Sequence, residues 1–194
     1  MLIGFTGAQS TGKTTLLNRC KEDFDNSLNP PVWKFVDEVT RKVMRAGWSI
    51  NEDGDNLTQL FILKEHLQNH TVPKSEKWIL DRCILDGYIY TKWLYGQDAV
   101  DKWVLTYASN LLSLLGKQLD IIFYTEPGDI PIEDDGERSI NADFRNEIIK
   151  EYEDLMTCSL STPGRDTWRK KIVRLSGTVD ERMRTIYKHI NNLK

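Results

Sequence analysis

The chain has 194 residues, enough for one large domain or a domain with a lid, and 40% hydrophobic content is enough for a core. A formal net charge of −3 with 28% charged residues argues against general affinity for polyanions, while leaving room for a local basic groove. Cys20, Cys83 and Cys158 are widely spaced without a C-x-x-C pair, which excludes a disulfide frame or a cysteine zinc site, and no apolar run reaches the ~20 residues of a membrane span. With a first strand beginning at residue 2 and no signal peptide before it, the expectation is a cytoplasmic protein with reduced thiols and no membrane association.

In chain order, "LIGFT" is a short apolar strand, and "TTLLNRCKEDF" has helical spacing. Between them lies G-x-x-x-x-G-K-[ST], filled by Gly7, Gly12, Lys13 and Thr14. Strand, glycine-rich turn and helix are the context in which this motif holds a nucleotide polyphosphate. The two glycines let backbone N–H groups from Ala8, Gln9, Ser10, Thr11 and Thr15 converge on an anion, and the helix N-terminus adds partial positive charge. Lys13 can reach the β- and γ-phosphates of ATP, and the Thr14 hydroxyl can ligate Mg²⁺.

A Pro-Pro break precedes a strand over 32–36, and "EVTRKVMRAGW" reads as a helix ended by Gly47. "NEDGDN" is a turn that caps the helix "LTQLFILKEHLQNH". "KWILD" is a buried strand ending at Asp81, followed by the helix "CILDGYIYTKWLYG" and the amphipathic helix "DAVDKWVLTYASNLLSLLG". "LDIIFYT" is a further buried strand, and "EPGDIPIEDDGERS" a polar loop. "ADFRNEIIKEYEDLM" is helical, and "KKIVRLSG" a last strand, with "RKK" a solvated entrance to it. "TVDERMRTIYKHINNL" is a closing helix capped by Thr178 with Glu181 three residues on. Alternating strands and helices predict an α/β fold in three layers, with a mostly parallel five-stranded sheet and a mobile lid over about residues 126–145, all in a single domain. Ligands of such sheets bind outside the carboxyl ends of the strands.

Three places there could turn binding into transfer. Asp37 and Glu38 follow a strand, where a carboxylate could take the proton of an attacking hydroxyl; an ordinary helix cap is the competing reading. Asp81 ends an apolar strand, suited to Mg²⁺, and Arg82 beside it could position an anion or acceptor hydroxyl. The third is the polar loop, where Arg138 and Arg145 could neutralise transition-state charge. Asp86 is expected on a helix surface, and His66 and His70, despite their i, i+4 spacing, on an exposed helix face rather than at a metal. Trp48, Tyr88 and Trp93 are more often packing than base-stacking residues.

Together "GAQSTGKTTL", "DEVTRKV", "LDRCILDGYIY", "DIIFYTEP" and "DGERS" resemble the P-loop nucleoside and nucleotide kinases, above all the NadR-type ribosylnicotinamide kinase domain and related small AAA-like phage and bacterial ATPases. The resemblance implies Glu38 first and Asp37 second as base or acceptor ligand, with Arg82 and Arg138 meeting the transferring phosphate. It implies an ATP- and Mg²⁺-dependent kinase of a small nucleoside or nucleotide acceptor. Ribosylnicotinamide heads the list, then a deoxynucleoside or its monophosphate, then a modified base in DNA; nucleic acid is thus not excluded as partner. A nucleotide-gated regulatory ATPase is the alternative from another class. Oligomeric state is not legible in the sequence.

Overall fold

The structure is a computed structural model describing residues 1–25, 33–37, 39–128, 141–157 and 167–193. Five strands, β1 (Leu2–Thr6), β2 (Trp33–Val36), β3 (Lys77–Asp81), β4 (Ile121–Thr125) and β5 (Ile172–Leu175), form one sheet in the order β2-β3-β1-β4-β5. Every pairing is parallel: Gly4 sits opposite Leu80 on one side and Ile122 on the other. Each residue of β1 and β4 is buried, which is why both strands read as unbroken apolar runs.

The two-residue period of the strands divides the core into two layers. Ile3, Phe5, Ile79, Ile121 and Phe123 face Leu16, Leu17 and Cys20 of α1 (Lys13–Asp25) and Met183, Ile186 and Ile190 of α7 (Val179–Asn191). Leu2, Leu80, Ile122 and Tyr124 face the opposite layer. That layer is built from α3 (Asn56–His70), α4 (Ile84–Gly96), α5 (Lys102–Leu115) and α6 (Ala142–Thr157). Helix α4 is enclosed by the other three. Its sequence accordingly shows no separate apolar and polar faces, with Asp86 and Lys92 its only charged residues.

Local signals set several boundaries. Asp55 caps α3 by accepting from the Thr58 amide at 2.9 Å, and Thr178 and Glu181 complete the expected capping box of α7. Helix α2 (Val39–Arg45) is shorter than the sequence pattern, ending two residues before Gly47, whose φ of +85° takes the chain out of the helix. The basic entrance to β5 is a 3₁₀ turn over Thr167–Lys171. Among the described residues no helix is long and apolar enough to cross a membrane.

One expectation is reversed on α3. His66 and His70 are buried rather than exposed, because that face of α3 packs against α4. Gly87 makes the approach possible: a Cβ there would lie 2.8 Å from His66 Cδ2. His70 Nδ1 donates to the His66 carbonyl at 2.8 Å, and burial lowers the pKa of His70 to about 4 and that of His66 well below its ordinary value. Both rings are neutral at neutral pH.

Candidate active site

The carboxyl ends of β1, β2, β3 and β4 bring Gly7, Asp37, Asp81 and Glu126 to one edge of the sheet. Residues 7–12 form the turn between β1 and α1 that the spacing predicts, and Lys13, Thr14 and Thr15 open the helix. Gly7 (φ +136°) and Gly12 (φ +85°) take left-handed conformations, and so does Ser10 (φ +53°). A side chain at Gly7 is excluded on steric grounds as well, since its Cβ would lie 2.5 Å from Thr125 Oγ1. Thr11 Oγ1 stands 2.6 Å from the same Thr125 oxygen, tying the turn to the end of β4.

Lys13 Nζ donates to the carbonyls of Gly7 at 2.8 Å and Ala8 at 2.5 Å, so the ammonium is fixed at the mouth of the turn. Three outer residues hold the turn in place. Tyr90 on α4 donates to Gln9 Oε1 at 3.1 Å, and Arg145 on α6 donates to the Ser10 carbonyl at 3.2 Å. Arg182 on α7 donates to the carbonyls of Thr11 at 2.8 Å, Glu126 at 3.2 Å and Gly177 at 3.0 Å. Ser10 through Thr15 and Arg82 line a small cavity at the start of α1. Its amides and helix terminus suit an anion.

A cleft of about 360 Å³ opens beside this cavity, lined by Thr14, Asp37 and Asp81 together with Lys21, Lys42 and Arg45. Asp37 is exposed and pairs with Lys21 at 3.3 Å. The Thr14 hydroxyl and the Asp81 carboxylate thus share one cleft, and hard oxygen ligands of this kind suit Mg²⁺ completed by phosphate oxygens and water. Glu38 and Arg138 lie outside the described residues, as do most of the expected lid and Cys158. Cys20 and Cys83 are free, buried thiols, and burial pushes Cys20 up to about 12.

Arg82 is in the left-handed region (φ +72°) and is buried. Its partner is Asp86, which the sequence placed on a helix surface. Asp86 is instead a buried hub. Its Oδ1 accepts from Arg82 Nη1 at 2.9 Å and the Tyr152 hydroxyl at 2.9 Å, and its Oδ2 from Thr6 Oγ1 at 2.8 Å and the Cys83 amide at 3.0 Å. Four donors on two oxygens saturate a buried carboxylate, which is what permits its burial. The physical reason for the correction is that α4 has no solvent face at its first turn.

Arg82 also lines a second, narrow pocket of about 20 Å³ between α2, α3 and α4, with Thr40, Asn51, Gln59, His66, Asp86 and Tyr90. Gln59 on α3 is buried and in contact with the Thr91 hydroxyl at 3.0 Å. Two of the aromatic residues considered for base stacking are packing residues: Trp48 meets Phe61 at 5.0 Å between centroids, and Trp93 meets Phe144 at 4.6 Å. Sequence reasoning missed Asp86, Arg182, Gln59 and His66 as parts of the site. The i, i+4 spacing of Arg82 and Asp86 is a signal for that pair; nothing local in the sequence marks Arg182, whose contact with the phosphate turn, at Thr11, is 171 positions away.

Comparison with solved structures places this architecture. A deoxyadenosine kinase from M. mycoides with the products dCMP and a flexible dCDP bound superposes with a TM-score of 0.70 at 16% identity, covering 100% of both chains. The same enzyme with bound dATP gives 0.65 at 16%, covering 98% of this chain and 99% of that one. NadR in complex with NR gives 0.67 at 20% over 98% of this chain and 50% of NadR, so the chain spans half of NadR's length. The fold is therefore the α/β P-loop kinase-like fold. A family model described as an AAA domain matches residues 2–182, and the chain belongs to that family. A search of curated proteins finds no match.

Proposed function

We propose that the protein is an ATP- and Mg²⁺-dependent kinase that transfers a phosphoryl group to a nucleoside-like acceptor. One observation carries the reading: Arg82 lines both the phosphate cavity and the narrow pocket next to it. A guanidinium shared by two cavities is placed to touch the donor phosphate and the group that attacks it. Deoxyadenosine kinase and NadR, which share the fold, support the same class of activity.

On this reading the amides of residues 7–15 and Lys13 bind the ATP phosphates, with Arg145 and Arg182 holding the turn in shape. Thr14 and Asp81 would hold Mg²⁺, which supplies charge neutralisation at the phosphates. Gln59, neutral His66, Asn51 and Thr40 offer hydrogen bonds without charge, suited to an uncharged base or sugar. Glu38 accepts the hydroxyl proton, with Asp37 as the second candidate, and Arg138 neutralises charge on the transferring group. Ribosylnicotinamide is the first acceptor to test and a deoxynucleoside the second, in keeping with the ligands named for NadR and deoxyadenosine kinase. Residues 1–194 would act as one domain, with 126–145 covering the site.

ADP formation measured against a panel of nucleosides, nucleoside monophosphates and DNA tests the reading. Turnover stoichiometric with one nucleoside is expected. Hydrolysis independent of any acceptor would overturn it in favour of a nucleotide-gated ATPase.

A further inference from the structure

The amino ends of the strands, at the edge opposite the phosphate turn, border another cavity, of about 310 Å³. It lies where the loop after α3 meets the starts of β1 and β4. Five strand residues at ~3.3 Å each put roughly 17 Å of sheet between this cavity and the turn. Leu2, Val72 and Pro73 give it an apolar wall, and Lys74, Lys117 and Asp120 a charged rim. Asp120 is anchored to β1: its amide donates to the Leu2 carbonyl at 2.8 Å, and its Oδ2 accepts from the Leu2 amide at 2.7 Å. Among the described residues no carboxylate pairs with Lys74 or Lys117. Lys171 adds a third ammonium beside them, held by the carbonyls of Lys117 at 2.9 Å and Leu119 at 2.5 Å. The rim is therefore basic, in a chain whose net charge is −3.

His70 also lines this cavity and is only 2% exposed. Its Nδ1 carries the proton, because it donates to the His66 carbonyl. Nε2 is then an acceptor, and it has no hydrogen-bond partner. A buried acceptor left unmatched loses its hydration without return.

We propose that this cavity binds a nucleoside monophosphate, at a site separate from the phosphate turn. The phosphate answers Lys74 and Lys117, with Lys171 beside them. A sugar hydroxyl or base amino group donates to His70 Nε2 and to Asp120 Oδ1, and the base lies on the apolar wall. An inorganic anion answers the lysines alone, and an uncharged nucleoside answers only His70 and Asp120. The volume is at the low end of small-molecule pockets, ~300–1,000 Å³, which suits one nucleotide rather than two. The inference rests on the kinase reading in one respect: a nucleoside monophosphate is the product that a nucleoside kinase releases. Binding here is felt at the acceptor pocket through α3. The His70 and His66 rings meet edge to face, 6.4 Å between centroids, and His66 lines the narrow pocket with Arg82. Such coupling is reciprocal, so a bound acceptor changes the affinity of this site by the same factor.

Calorimetric titration of the full chain, with the phosphate turn filled by saturating ADP, tests the site. AMP, CMP, GMP and UMP are the probes, with inorganic phosphate and adenosine as separate arms. At least one monophosphate should bind 10-fold or more tighter than either of those arms. Lys74→Glu combined with Lys117→Glu should weaken that binding by about 10-fold or more, with circular dichroism unchanged. The ¹⁵N resonance of His70 Nε2 should move on binding in the parent protein and stay still in the double variant. Monophosphates that bind no tighter than phosphate overturn the proposal. So does binding that the double variant leaves unaltered, which would put the nucleotide in the acceptor pocket instead. The titration needs no turnover. A chain that binds here yet phosphorylates no acceptor overturns the kinase reading alone, and turnover without binding here overturns this inference alone.

Discussion

Arg82 Nη1 and Asp86 Oδ1 stand 2.9 Å apart, both side chains buried, at the point where the phosphate cavity meets the narrow pocket. A buried guanidinium is tolerated there because its counter-charge is buried with it. Asp86→Asn keeps the shape and removes that counter-charge. It should cost about 3 kcal/mol or more of stability and lower kcat by at least tenfold through a displaced Arg82. Thr6→Val, which removes one neutral donor to the same carboxylate, should cost only about 1 kcal/mol. Thermal unfolding of the two variants side by side checks the ranking; equal losses would deny Asp86 its place as the hub.

Asp81→Asn should weaken Mg²⁺-dependent turnover more than it weakens ATP binding measured without metal. The substitution removes one anionic ligand from the cleft that Asp81 shares with Thr14, at nearly constant shape. A magnesium titration of kcat with a parallel metal-free binding isotherm separates the two effects. Loss of both in equal measure would make Asp81 structural.

Glu38→Gln should remove acceptor-dependent turnover by 10²-fold or more, the usual order for general-base catalysis, while ATP binding is preserved. Asp37→Asn should change kcat by only a few fold, because the Asp37 carboxylate is exposed and paired with Lys21. These outcomes hold for a hydroxyl acceptor. With an ionised monophosphate no base is needed, and full kcat in both variants would shift the reading to that acceptor.

Stability should fall with acid before most carboxylates titrate. His66 and His70 are buried neutral, with pKa values held below the unfolded value of 6.5, His70 at about 4. Between pH 6.5 and about 4 the unfolded chain therefore binds protons that the folded chain does not. The neutral rings stabilise the fold fully above 6.5, and stability declines as pH drops through that window, by up to about 1.4 kcal/mol per pH unit for each histidine. The His66→Asn, His70→Asn double variant should flatten this part of the Tm–pH curve. An unchanged slope would assign the acid sensitivity to other groups.

The strands, the phosphate turn and most helices were legible because their signals are local. Gly7 and Gly12 take positive φ in the phosphate turn, β1 and β4 are unbroken apolar runs, and caps stand at Asp55 and Thr178. What escaped the sequence depended on who the neighbour is. Asp86 reads as a polar helix residue until α4 is enclosed by three other helices. His66 reads as solvated until Gly87 opens a place for its ring. Arg182 follows a helix cap like any surface arginine, yet its guanidinium reaches the phosphate turn. Gln59 and Thr91 come from helices separated by β3, so no spacing rule joins them.

That reach of Arg182 has a kinetic consequence. Its bond to the Thr11 carbonyl joins groups 171 positions apart, and the same side chain secures Glu126 and Gly177. On the ribosome the turn after β1 emerges before the other four strands of the sheet, but its support from Arg182 arrives only with α7. The turn therefore cannot gain that support until all five strands have been made and the slow, long-range sheet pairings are in place. Its final shape is thus acquired late, as a property of the assembled sheet and α7 rather than of the segment from β1 to α1.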